Sequence, residues 1–445
     1  MKKIYVIGIG GIGVSAIARY YNENGYQVFG SDKTDSELIH KLRDEGIDIF
    51  IGERPEFIDN KFDLVVYTEA IPNSQSELEK SRELNLNVIS YPTALAEIAN
   101  KKQLITIAGT HGKSTTTSLI SIVLKNSNIG VNSVVGSILK EFGNKNSYFS
   151  NSKYFALEAC EYKRSFLKYK PFIGVITNIE LDHLDYYKDL DDYLSAFKNY
   201  LENIIPGGYV ILNGNCINSM KLLGLRNDIN YVIVENKKYK IKNINGITKD
   251  YNFPNIELNV PGEHILYDAK IAYVVGKVLN LDDSEITKSL KNYNGIWRRS
   301  EIIGMTLNGN ILMSDYGHHP TEILLNTKAI KEKYSQKKIV CIFQPHQYNR
   351  TLELLEDFKN CFKYVDKLII PDIYESRDTE EDKKKINSEK LVSFINHSDK
   401  LDGKGLENTL DIILDYDKKN PTSSVIILQG AGNVDDLRYR IKTIN

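Results

Sequence analysis

Two glycine-rich segments carry residue types that handle phosphate. The first places Gly8, Gly10 and Gly13, with Gly11 between them, at G-x-G-x-x-G spacing directly after the apolar run Ile4–Ile7. Glycines spaced this way let backbone N–H groups approach a diphosphate at a helix start, where the helix dipole favours negative charge. Asp32 ends the next apolar run, near the position where an acid accepts a ribose hydroxyl. Alone, the motif fits NAD or a tight structural turn. The expectation is binding of a nucleotide diphosphate, with NAD disfavoured because a second phosphate-handling segment lies downstream. That segment is Gly109-Thr110-His111-Gly112-Lys113-Ser114-Thr115, between the apolar strand Leu104–Ala108 and a helix from Lys113 to about Asn128. It is shorter than G-x-x-x-x-G-K-[ST], because residue 107 is Ile. The chemistry still holds: a glycine turn exposes N–H groups, Lys113 reaches terminal phosphates, and the Ser114 hydroxyl can ligate Mg²⁺. ATP is the expected ligand.

Carboxylates and histidines gather at other strand ends. Glu158 closes the run Tyr154–Glu158, with Glu161 three residues on. Strand carboxyl ends in open α/β sheets face the ligand crevice, and a magnesium ion on phosphates needs hard oxygen ligands, so Glu158 pairs naturally with Ser114. The segment Thr177-Asn178-Ile179-Glu180-Leu181-Asp182-His183-Leu184-Asp185 adds an amide, three acids and a histidine, the pattern of a second metal site at His183. Further on come Asp315-Tyr316-Gly317-His318-His319-Pro320 and Gln344-Pro345-His346-Gln347-Tyr348-Asn349-Arg350-Thr351. Six of the eight histidines (His111, His183, His264, His318, His319, His346) fall in such strand-end or helix-start segments, which favours one assembled site over six structural histidines.

The elements that must hold these residues alternate between strand-like and helix-like runs, an α/β pattern with mainly parallel sheets. At about 150 residues per domain, 445 residues suggest three. A polar linker at Asn100–Gln103 and a turn-prone hinge at 292–295 divide the chain into 1–100, 101–295 and 296–445. Residues 223–259, rich in Asn and Lys, read as an antiparallel appendage. With 57 basic and 58 acidic residues the net charge is −1, which argues against a nucleic-acid binder. No run approaches the roughly 18 apolar residues of a membrane span, and the start MKKIYVIGIGGIG reads as a strand rather than a signal peptide. Four cysteines (Cys160, Cys216, Cys341, Cys361) without a C-x-x-C pair read as reduced thiols. A cytoplasmic protein is the expectation.

With these residues in hand, the whole chain resembles the Mur ligase family. The resemblance rests on G-I-G-G-I-G, G-T-H-G-K-S-T, E-A-C-E-Y, T-N-I-E-L-D-H-L-D, W-R-R, D-Y-G-H-H-P and F-Q-P-H-Q-Y-N-R-T, in that order. E-A-C-E-Y and the last two resemble the alanine-adding member rather than its later siblings. The resemblance implies three α/β domains: a Rossmann-like N-terminal domain for UDP, a central phosphate-loop ATPase domain, and a Rossmann-like C-terminal domain for the amino acid. It implies an ATP- and Mg²⁺-dependent amide-bond ligase joining L-alanine to UDP-N-acetylmuramate through an acyl phosphate, in peptidoglycan precursor synthesis. The protein would be a monomer or homodimer. By similarity Gly8, Gly10, Gly11, Gly13 and Asp32 hold the UDP-sugar. Lys113 binds the β- and γ-phosphates within the loop Gly109–Thr115, Ser114 and Glu158 ligate the first magnesium, and His183 the second. Asn178 and Arg298 or Arg299 lie around nucleotide and substrate, Asp315 near ribose or γ-phosphate. His318, His346 and Arg350 hold the alanine or the reacting carboxylate.

Two departures stand out. The family's G-x-H-N-x-x-N-A reads Gly262-Glu263-His264-Ile265-Leu266-Tyr267-Asp268-Ala269 here, and the arginine after F-Q-P-H in some relatives is Gln347. Other readings keep the same mechanism with a recycled murein peptide or another amino acid, or make the chain a non-catalytic relative. From a different class, an NAD(P)-dependent dehydrogenase rests only on Gly8–Gly13 with Asp32.

Overall fold

The computed structural model describes residues 2–444 except 261, 294 and 377. The expected hinge at 292–295 therefore includes a residue, Asn294, outside the described set. Three sheets occupy successive stretches. The first is wholly parallel, in the order Asp48–Ile51, Gln27–Asp32, Lys3–Ile7, Leu64–Tyr67, Val88–Ser90. Its order reverses at Lys3–Ile7, and the glycine turn comes directly after that strand, where open α/β sheets form their ligand crevice. The helix Ile12–Glu23 comes next; Val14, Ile17, Ala18 and Tyr21 recur at three- and four-residue steps and are buried.

The second sheet has nine strands. Its parallel part runs Asn230–Val234, Tyr209–Asn213, Ile173–Ile176, Gln103–Ala108, Tyr154–Glu158, Asn132–Leu139. Antiparallel strands extend both ends: Lys238–Lys242 with Thr248–Asn252, and Lys145–Tyr148. The appendage read at 223–259 is thus a pair of hairpins on the sheet edge. Gln103–Ala108 sits between Tyr154–Glu158 and Ile173–Ile176, so the loops after these three strands meet at one end. The helix Leu190–Glu202 buries Tyr193, Leu194, Phe197, Tyr200 and Leu201, and Asp189 caps it by accepting from the Asp192 N–H at 2.9 Å, worth about 1 kcal/mol.

The third sheet is parallel through Lys400–Asp402, Lys367–Ile370, Lys338–Phe343, Ser424–Gln429 and Ile311–Asp315, then antiparallel at Glu301–Thr306 and Thr443–Ile444. Two compact units result: Met1–Ile256 with Asp268–Leu290, and Glu257–Tyr267 with Lys291–Asn445. One buried cluster runs from Ile4 and Val28 through Leu104 and Phe155 to Tyr231, joining the first two sheets in a single core. Separate clusters cover the two faces of the third sheet, one around Phe343 and Ile370, the other around Ile342 and Leu428. Among the described residues no helix is long and apolar enough to cross a membrane.

Candidate active site

The first glycine turn is built as its spacing requires. Gly8 adopts φ +75°, in the left-handed region. Asp32 does not stand free: Oδ2 accepts from the Gly10 N–H at 2.8 Å and Oδ1 from the Thr34 N–H at 3.1 Å. The start of the helix Ile12–Glu23 has no side-chain cap, so its first N–H groups are available to an anion. Tyr91, at the start of the helix Tyr91–Ala99, brings its phenol against Gly13.

The second turn is tied to its neighbouring strands. Gly109 has φ +129° and Gly112 φ +78°. Asn178, after the adjacent strand, accepts from the His111 N–H at 2.9 Å, while the Thr177 hydroxyl donates to the His111 carbonyl at 2.6 Å. The Thr110 hydroxyl donates to the Glu180 carbonyl at 2.7 Å, and the His111 ring lies 3.3 Å from the Glu180 carboxylate. Lys113 folds back over the turn, its Nζ 2.5 Å from the Gly109 carbonyl, 3.2 Å from that of Thr110 and 3.1 Å from Glu161 Oε1. Ser114 is buried in the first helical turn. Asp268, at the position of the second replaced asparagine, faces this turn: a Cβ at Gly112 would meet its Oδ1 at 3.0 Å.

The acids divide in an unexpected way. Glu158 accepts from the Gly136 N–H on the strand Asn132–Leu139. Glu161, fully buried, is the carboxylate nearest Lys113 and also lies 3.2 Å from His183 Nε2. Its second oxygen, Oε2, has no hydrogen-bond partner among the described residues. Burial pushes this carboxyl up, but Lys113 and then His183 outweigh it and hold Glu161 below the usual carboxylate range. Burial likewise opposes the charge on Lys113, and Glu161 keeps the ammonium above its ordinary value. His183 has φ +57°, and its N–H donates to Asp182 at 2.7 Å.

In the other unit, Asp315 ends its strand inside a full set of donors: the Ser300 N–H at 2.7 Å, the Gly317 N–H at 2.8 Å and Gln429 Nε2 at 2.8 Å. Burial raises its pKa, against the pull of Arg299. Arg298 directs its guanidinium to the carbonyls of Gly430, at 2.5 Å, and Gly432, at 3.0 Å. Arg299 lies over the Tyr316 ring, 5.0 Å from its centroid. The rings of His318 and His346 are 6.1 Å apart, and His346 stacks on Tyr374 at 5.4 Å. Arg350 lies in the short helix Tyr348–Glu353, which begins after Gln347 at φ +71°.

The structure thus groups Gly109–Thr115, Asn178, Glu161 and His183 around one loop, and His318 with His346 in the other unit. Sequence reasoning left Glu161, Tyr91 and Tyr374 outside the site. The repeated acid in E-A-C-E-Y could have flagged Glu161; nothing local marks the two tyrosines.

A glycine turn ahead of a helix on one sheet and a lysine-bearing glycine turn ahead of a helix on the next fit one class of enzyme, and the chain belongs to the Mur ligase family. The family model described as "Mur ligase family, catalytic domain" matches residues 3–103, and "Mur ligase middle domain" matches 107–276. The chain is 39% identical to the UDP-N-acetylmuramate–L-alanine ligase of Alkaliphilus metalliredigens (strain QYMF), over 98% of this chain and 95% of that one. It is also 39% identical to the ligase of the same name from Clostridium beijerinckii, over 97% and 96%. The fold is similar to that of the UDP-N-acetylmuramate-alanine ligase of Thermotoga maritima, with a TM-score of 0.79, 24% identity and coverage of 99% and 98%. A murein peptide ligase from Psychrobacter arcticus shares the fold at TM-score 0.72 and 19% identity, covering 99% and 98%.

Proposed function

We propose that this chain is an ATP-dependent amide-bond ligase that joins L-alanine to UDP-N-acetylmuramate, releasing ADP and phosphate, in cytoplasmic synthesis of peptidoglycan precursors. The observation that carries the reading is the end-to-end similarity to alanine ligases at 39% identity. The Lys113–Glu161–His183 cluster beside the phosphate loop supports it. The dehydrogenase reading has only the first glycine turn behind it, and both Asp32 oxygens there already accept backbone N–H groups.

A carboxylate does not condense with an amine in water, because hydroxide is the leaving group. Attack of a carboxylate oxygen on the γ-phosphorus expels ADP and forms an acyl phosphate. The amine nitrogen then attacks the carbonyl carbon, and phosphate leaves with the former carboxylate oxygen. Charge gathers first on phosphoryl oxygens and then on a tetrahedral oxyanion, which calls for fixed donors and cations. The turn at Gly109–Gly112 supplies N–H groups, and Lys113 leaves Glu161 and two carbonyls for the phosphates. The donor set suits magnesium: Ser114 and Glu158 would hold one ion and His183 another, and Glu161, beside His183, offers a buried oxygen, Oε2, with no hydrogen-bond partner among the described residues, the hard oxygen such an ion takes. Bound there, it would neutralise phosphate charge. In the second unit Arg350 takes the alanine carboxylate, and His318 or His346 removes a proton from its ammonium group. Arg298 or Arg299 lies toward nucleotide and substrate, Arg298 directed at backbone carbonyls and Arg299 beside Glu322.

Phosphate release from ATP with UDP-N-acetylmuramate, measured against Ala, Gly, Ser, Glu and an L-Ala-led murein tripeptide, tests the reading. Release should be fastest with alanine. Preference for the tripeptide would move the chain to peptide recycling, and no amino-acid-dependent release would end the ligase reading.

A further inference from the structure

Tyr91 links the two nucleotide-binding sheets without belonging to either glycine motif. It follows the last strand of the first sheet and opens the helix Tyr91–Ala99. A Cβ added at Gly13 would lie 2.6 Å from its hydroxyl oxygen and 2.7 Å from Cζ. The phenol end therefore occupies the space a side chain at residue 13 would take, beside the first turn of the helix Ile12–Glu23. That explains the third glycine of the motif from within the fold. Burial and then the Glu158 carboxylate of the second sheet push the phenol's pKa far up, so it remains an O–H donor. Among the described residues its hydroxyl makes no hydrogen bond.

A half-buried phenol of this kind, set beside an uncapped helix start, can add its O–H to the backbone donors there. We propose that Tyr91 is a substrate-binding residue: its hydroxyl donates a hydrogen bond to a diphosphate oxygen of the nucleotide-sugar acid held at Gly11–Gly13. The inference rests on the reading that this turn receives a UDP-linked acid. A phenol suits the position because it adds a donor to the backbone N–H groups without adding charge.

Tyr91→Phe keeps the ring against Gly13 and removes only the hydroxyl. A hydrogen bond to a charged acceptor is worth about tenfold or more in affinity. The KM for UDP-N-acetylmuramate should rise about tenfold, while kcat, the KM for ATP and the melting temperature stay at wild-type values. Titration calorimetry separates the contributions: UDP should bind the variant about tenfold more weakly, and uridine, which lacks the diphosphate, equally well to both proteins. Unchanged UDP affinity in the variant would overturn the proposal, as would an equal loss for uridine, which would mark a structural role. If the wild-type protein bound neither UDP nor the nucleotide sugar, the reading of the turn itself would fall, and this inference with it.

Discussion

Glu161→Gln is the substitution that separates the two carboxylates of E-A-C-E-Y. The side chain is fully buried, lies 3.1 Å from the Lys113 ammonium, whose own side chain is 17% exposed, and lies 3.2 Å from His183. At an effective dielectric of about 20, opposite charges at that separation attract by about 5 kcal/mol. Removing one partner of a buried pair typically costs about 3–5 kcal/mol, since the other charge is left uncompensated. Glutamine keeps the shape and one acceptor oxygen, and Lys113 retains two carbonyls, so a loss of about 3 kcal/mol is expected. Urea denaturation followed by circular dichroism should show that loss with an unchanged slope. If Glu161 also helps hold magnesium, half-saturation of ligase activity by Mg²⁺ should move up about tenfold or more, a loss of at least 1.4 kcal/mol of metal binding. Wild-type stability together with a wild-type Mg²⁺ curve would refute both arguments. A stability loss with an unchanged Mg²⁺ curve would leave Glu161 as the counter-ion of Lys113 alone.

The geometry leads to three further outcomes. His264 is pushed down to about 4 by burial, with Arg299 acting in the same direction and Glu322 opposing. The unfolded chain takes up that proton near 6.5 and the folded chain only near 4, so stability falls as pH drops through that window. Melting curves should show about 1–2 kcal/mol lost between pH 7 and pH 5, and less in His264→Gln. Gly112→Ala forces a left-handed alanine, costing about 1–2 kcal/mol, with its Cβ 3.0 Å from Asp268; the KM for ATP should rise while UDP-sugar binding persists in calorimetry. Asp32→Ala removes the acceptor of two backbone N–H groups and should lower stability by about 1–3 kcal/mol and weaken UDP-sugar binding, with the KM for ATP unchanged.

How much the sequence discloses depends on how local each feature is. Leu104–Ala108, the glycines and Lys113-Ser114-Thr115 are consecutive in the chain, so apolar run, turn and helix start identify the loop together. Glu158 is legible for the same reason, as the end of an apolar strand. The bonds that hold the loop are not: Asn178 reaches the His111 N–H across 67 residues, and only the adjacency of two strands puts them together. Lys145–Tyr148 and Glu301–Thr306 are likewise not legible as strands. The first is polar throughout, and the second, bordered by the two-residue edge strand Thr443–Ile444, lacks the buried run of a central strand. Asp315 reads as a site acid because it ends a strand, and three donors from separate segments show how firmly the fold holds it. Arg298 and Arg299 are equivalent in sequence, and only the fold, by bringing the loop at Gly430–Gly432 close, gives Arg298 its carbonyl partners.

In the proposed reaction ATP activates the acid carried on the first nucleotide. UDP-N-acetylmuramate labelled with ¹⁸O in its lactyl carboxylate, turned over with unlabelled ATP and L-alanine, tests it directly by mass spectrometry of the released phosphate. Each phosphate formed from doubly labelled acid should carry one ¹⁸O atom. Unlabelled phosphate would mean that water, not the carboxylate, attacked ATP, and would contradict it.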